Sequence, residues 1–178
     1  MQNIHPSVYV APGVQVYGAV SIDEGSSLWP FVVIRAECER VQIGKNTNVQ
    51  DFTMIHVGYE SPTVIGDWCS ITHRAVVHGA TIEDDCLIGI GAVVMDGAVI
   101  GRGSIVAPGA VVREGMVVPP HSLVAGVPAK VIKQRDFGAE NRANAWNYWR
   151  NAQAYAKGEH RAWEGEAFAK FRAEVKGR

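Results

Sequence analysis

From residue 82 onward an aliphatic side chain returns every six positions, as Ile82, Ile88, Val94, Ile100, Val106, Val112, Val118 and Val124. The same interval runs upstream through Ile4, Val10, Val16, Ile22, Leu28 and Ile34, then Ile43, Val49 and Ile55, then Ile65, Ile71 and Val77. A helix repeats its buried face every 3.6 residues and a strand every 2, so a period of six fits neither as a continuous element. It fits a parallel β-helix, where each unit is a short strand plus a corner and three units close a triangular coil. The aliphatic residue then points into the prism and stacks on its counterpart one coil away. Four positions later the residue is nearly always small, as at Cys86, Ala92, Ala98, Ser104, Ala110 and Ser122, which lets the chain turn the corner. Side chains one or two positions after the aliphatic residue fall near or on the outer surface.

The 178 residues suffice for one domain with its own core and a short appendage. Residues 1–135 carry the repeat. Residues 136–178 change grammar: 139–157 are rich in Ala, Asn and Trp without Pro or Gly until Lys157-Gly158, and a second helical stretch is expected near 160–176. Trp146, Trp149 and Tyr155 would expose large apolar area on an isolated helix, so they are expected to lean on the β-helix of their own or a neighbouring subunit. A net charge of -1 gives no general attraction to nucleic acid or to an anionic membrane. No stretch approaches the roughly 20 apolar residues of a membrane span, and no secretory leader is evident at the start, so a cytoplasmic protein is expected. Cys69 and Cys86 fall in the small corner slot and, with Cys38, lack paired metal-type spacing, which favours buried structural thiols for the first two.

The repeat assigns the histidines to columns. His56 follows Ile55 and His78 follows Val77, three units apart, so they stack as neighbours in the first outward slot. Arg35, after Ile34, lies one coil below His56, Tyr17 one coil below that, and Met95 one coil beyond His78. Adjacent coils are separated by about 4.8 Å, close enough for two imidazoles to share one ion with bonds of about 2.0–2.1 Å. His73 sits two after Ile71, in a column with Asp51, on another edge. Five residues of nearly extended chain, roughly 15 Å, separate it from His78. One chain therefore does not close all three histidines around an ion, whereas prisms side by side would. His5, His121 and His160 fall outside these columns and read as surface or turn residues.

Asn48-Val49-Gln50-Asp51 followed by His56, then His73 and His78-Gly79, with Arg35 upstream, resembles the γ-class carbonic anhydrases and their γ-carbonic-anhydrase-like relatives over about residues 4–135. Hexapeptides such as Ile100-Gly101-Arg102-Gly103-Ser104-Ile105 resemble the same superfamily. The resemblance implies an all-β left-handed parallel β-helix of hexapeptide repeats with a C-terminal α-helical extension, assembled as a homotrimer. It implies metal sites between subunits, with His56, His73 and His78 as ligands to zinc, or to iron or cobalt. Gln50 would orient the bound water and bicarbonate, with Asn48 nearby, and Arg35, Asp51 and Glu37 would tie adjacent subunits together. The implied chemistry is the reversible hydration of carbon dioxide to bicarbonate, the ion lowering the pKa of water from about 15.7 towards about 7.

The chain departs from the family in places. The usual Arg-Gly-Asp reads Arg35-Ala36-Glu37, the acidic loop after the first ligand is absent, and Cys38 stands where a glutamate is usual. Glu60, in the short segment after His56, is the candidate proton carrier in their stead. Two other functions remain open. Gly126-Val127-Pro128-Ala129-Lys130 resembles a segment of hexapeptide acyltransferases that use an acyl-coenzyme A donor, and the missing shuttle groups suit a metal-binding trimer without turnover.

Overall fold

In a computed structural model, which describes residues 2–166, 168–170 and 173, each aliphatic position pairs with the next coil in parallel register. Val49 lies beside Ile71 and Ile71 beside Ile88, with the carbonyl of each coil taking an N–H from the coil below. Leu28, Ile34, Val49, Ile55, Ile71, Val77, Ile88, Val94, Ile100, Val106, Val112 and Val124 are fully buried along the prism axis. Each such side chain is worth about 1.5–3 kcal/mol in transfer from water, and the columns repeat that gain coil after coil. The fold is a parallel β-helix. The first coil is the exception, with Val10 47% exposed and Ile4 and Val16 half-buried, because it has none beneath it.

The corners differ from the sequence reading by one residue. The bend occurs three positions after the aliphatic residue, where φ turns positive, as at Gly91, Gly97, Gly103, Gly109 and Gly115. The small residue that follows, such as Ala92, Ala98 or Ala110, points inward and fills the corner. Glycine suits the bend because it has no Cβ to clash at positive φ. Yet Phe31, Phe52, Trp68 and Arg74 adopt the same conformation at φ between 56° and 61°.

Each coil runs over three faces. The first carries Thr63–Ile65, Thr81–Ile82 and Val99–Ile100; the second carries Ser27–Leu28, Asn48–Val49, Ser70–Ile71 and Leu87–Ile88; the third carries Met54–His56, Val76–His78 and Val93–Val94. The strands Gln15–Ile22 and Val33–Ile43 bend from the third face onto the first and join them in one hydrogen-bonded sheet. That edge also holds every break in the repeat, from Ile34 to Ile43, Ile55 to Ile65 and Val77 to Ile82. The extra residues of the first two and the shortened third step therefore share one edge, beside Arg35, His56 and His78.

The helix α1, Gly138–Tyr155, lies against the second face. Asp136, one residue ahead of its cap, accepts the Gly138 N–H at 2.8 Å, and Gly158, at φ 80°, follows its end. Its attachment is mixed. Trp29 meets Tyr148 and Tyr155 edge-on at 5.6 and 4.9 Å between centroids. Arg142 grips Asp85 through two bonds of 2.8 and 2.9 Å, and the Asn141 amide donates to the carbonyls of Asp85 and Ser104. Of the second expected helix, residues 166, 168–170 and 173 are helical, while 167, 171, 172 and 174–176 lie outside the described residues. Cys69 and Cys86 are buried, and burial pushes the Cys69 thiol up from its ordinary pKa; Cys38 is exposed. No helix among the described residues is long and apolar enough to cross a membrane.

Candidate metal centre

His56 and His78 end parallel strands whose registers align them directly, because Val77 pairs with Ile55. Their ring centroids are 4.9 Å apart, and Nδ1 of His56 faces Nε2 of His78 at 3.0 Å. Arg35 is the next step of the same ladder, since Ile34 pairs with Ile55, and Tyr17 follows beside Arg35. His73 stands on the other edge of the third face, beside Asp51, as the pairing of Val49 with Ile71 requires. Among the described residues of one chain, no three His, Cys, Asp or Glu side chains gather as a metal-binding group.

Each of the three imidazoles has a carboxylate on one ring nitrogen. Glu37 Oε2 is 3.0 Å from His56 Nε2, Asp51 Oδ2 is 3.0 Å from His73 Nδ1, and both Asp96 oxygens are 2.9–3.0 Å from His78 Nδ1. Partial burial pushes the Glu37 carboxyl up, but the bond from His56, its own backbone N–H and the charge of Arg35 outweigh that and hold it below the usual range. Glu37 also bonds Arg35. Glu37 and Asp51, expected as ties between subunits, are thus each engaged with a histidine of their own chain.

Counting protons exposes a frustration. A neutral imidazole carries a single N–H, and an ionised carboxylate can only accept. With the His56 proton directed at Glu37 and the His78 proton at Asp96, the two nitrogens facing each other across 3.0 Å both present lone pairs. Two lone pairs repel; a proton taken up by one ring turns the contact into an N–H···N bond, and a metal cation bound by both nitrogens relieves it equally. Neighbouring corners of a tetrahedron with bonds of about 2.0–2.1 Å are about 3.3–3.4 Å apart, close to the separation seen. Nitrogen donors backed by carboxylates are the usual dress of a histidine metal site, so the donor set fits a divalent ion.

Asn48 and Gln50 are both buried, although the slot after an aliphatic position, which Gln50 holds, is expected near or on the outer surface. Gln50 is 2% exposed, and its amide donates to Asn48 Oδ1 at 2.8 Å. Asn48 donates to the Cys69 carbonyl and to the Ser70 hydroxyl, which also receives the Asn144 amide of α1. The repeat is silent on what covers a face, and α1 packs over the strand Asn48–Val49 and reaches Ser70 beside it. Glu60 is exposed on the segment that leaves His56, beside Tyr59.

Asp96 escaped the sequence reading. It lies two after Val94, opposite Gly79, since Val94 pairs with Val77. Its carboxylate occupies space that side chains at Gly58 and Gly79 would need: a Cβ there would stand 2.0 and 2.3 Å from Oδ1. An acid set one coil beyond a glycine that follows a histidine was the available signal.

The model of the bacterial transferase hexapeptide family (six repeats) matches residues 79–114. A probable carbonic anhydrase of Methanocaldococcus jannaschii is 50% identical over 131 residues, which is 74% of this chain and 82% of that protein. The mitochondrial gamma carbonic anhydrase 2 of Arabidopsis thaliana is 42% identical over 94 residues, 49% of this chain; the chain spans only about a third, 34%, of that relative. Among solved structures, a putative acetyltransferase of Bacillus cereus superposes with a TM-score of 0.85 at 32% identity, covering 88% of this chain and 92% of that one. With 50% identity over 131 residues that cover 82% of the Methanocaldococcus protein, this chain belongs to the γ-carbonic-anhydrase-like family of hexapeptide-repeat β-helix proteins.

Proposed function

We propose that this protein is a metal-dependent carbonic anhydrase that interconverts carbon dioxide and bicarbonate. The pairing of His56 and His78 carries the proposal, because two imidazole nitrogens 3.0 Å apart, each ring backed by a carboxylate, offer a divalent ion two oriented donors. His73 of a neighbouring copy is the third ligand, in a homotrimer whose prisms stand side by side, and zinc is the ion expected for three neutral nitrogen donors. When bound, the ion supplies hydroxide at neutral pH, with water's pKa lowered towards about 7.

The chain's own residues then have separate tasks. Glu37, Asp51 and Asp96 hold the imidazoles in one tautomer each. Glu60, at the exposed tip of the segment after His56, hands the released proton to solvent. Gln50 braces Asn48, and Asn48 shares the Ser70 hydroxyl with Asn144 of the helix, so this chain of bonds orders the second face beside the site.

Elemental analysis of the purified oligomer should find about one zinc per chain, and stopped-flow hydration should follow metal content and vanish in His73→Ala. Metal-free protein that turns over acetyl-coenzyme A would reject the reading in favour of an acyltransferase. Bound metal without hydration across pH would leave a binding protein instead of an enzyme.

A further inference from the structure

We propose that Asp96 is a positioning residue for His78, fixing its tautomer and ring plane so that Nε2 faces the ion; this rests on the metal-centre reading above. Three features support it. Both carboxylate oxygens lie within 3.0 Å of Nδ1, so the ring is held from either oxygen. The carboxylate sits in a recess left by Gly58 and Gly79, where any side chain would collide with it. The recess is locked by backbone: the Gly97 N–H donates to the Gly79 carbonyl at 2.7 Å, and the Gly79 N–H to the His56 carbonyl at 3.1 Å. Asp96 is thus tied to both coils that carry the paired histidines.

A carboxylate on the far nitrogen keeps the proton there and raises the basicity of the ligating nitrogen, and losing such a partner typically weakens metal binding by about 10–100-fold. Asp96→Asn and Asp96→Ala should each lower zinc affinity in that range, measured by chelator competition on the intact oligomer. The visible spectrum of the cobalt-loaded protein should change while the Tm of the metal-free protein stays that of wild type. Gly58→Ala, which displaces the carboxylate without altering it, should reproduce most of the loss and add little to Asp96→Ala, the non-additivity expected of two changes acting through one contact. Affinities within twofold of wild type and an unchanged cobalt spectrum in both Asp96 variants overturn the proposal while leaving the metal centre standing. A wild-type protein that binds no zinc overturns both.

Discussion

Mixing two inactive variants tests whether the site lies between chains. His73→Ala removes the ligand on one edge of the third face and His78→Ala a ligand on the other edge, so either variant alone leaves two histidines at every site. In a closed trimer the contact is head-to-tail, one edge of each prism meeting a different edge of the next. After random reassembly of an equimolar mixture, a site is complete only where a His73→Ala chain supplies His56 and His78 and a His78→Ala chain follows it with His73. One ordered pairing in four meets that condition, so the mixture should regain about one quarter of the wild-type zinc and hydration rate. The two variants are unfolded together, refolded, freed of excess metal by gel filtration and analysed for zinc. A mixture that holds no more metal than its parents refutes the shared site, as does a His73→Ala protein that keeps the full wild-type content.

Three further outcomes follow from the same geometry. Phe31 and Phe52, 55% and 56% exposed, stack at 5.1 Å on the edge that carries His73, with Arg74 over Phe52, and both rings sit on backbone at positive φ. Phe52→Gly should therefore relieve the backbone and leave the chain folded by circular dichroism, yet weaken subunit association in sedimentation; an unchanged oligomer would show that the edge is not a contact. Ile71→Ala empties a fully buried position stacked between Val49 and Ile88, and should cost about 2–5 kcal/mol in denaturant unfolding; under 1 kcal/mol would contradict a close-packed prism. Burial, followed by the charges of Asp51 and Tyr155, pushes Tyr148 up to about 12. Because its folded pKa lies above the unfolded one, its contribution is complete below about pH 10 and is lost as the pH rises to about 12, on the order of 2–3 kcal/mol in all. Alkaline titration at 295 nm should show a tyrosine phase near pH 12 that Tyr148→Phe abolishes, above the smaller upward shift that burial gives Tyr9; a Tyr148 that ionises with the exposed tyrosines would contradict its burial.

The sequence alone determined the solenoid and its columns, because a period of six leaves an extended chain with one way to stack its aliphatic residues. Once Val49, Ile71 and Val77 were assigned to rungs, the pairing of His56 with His78 and of Asp51 with His73 followed by arithmetic, and the registers agree. The tertiary structure decided what periodicity does not encode. It set α1 over the strand Asn48–Val49 and onto Ser70, since a repeat says which way a side chain points but not what distant segment covers it. It turned Glu37 and Asp51 towards histidines of their own chain and brought Asp96 onto His78 through two glycines, contacts set by side-chain reach across coils and by the space a missing Cβ leaves. It also set the two long spacings, Ile34 to Ile43 and Ile55 to Ile65, and the short one, Val77 to Ile82, at one edge of the prism, where the extra chain of the long ones lies outside because the packed core has no room for it.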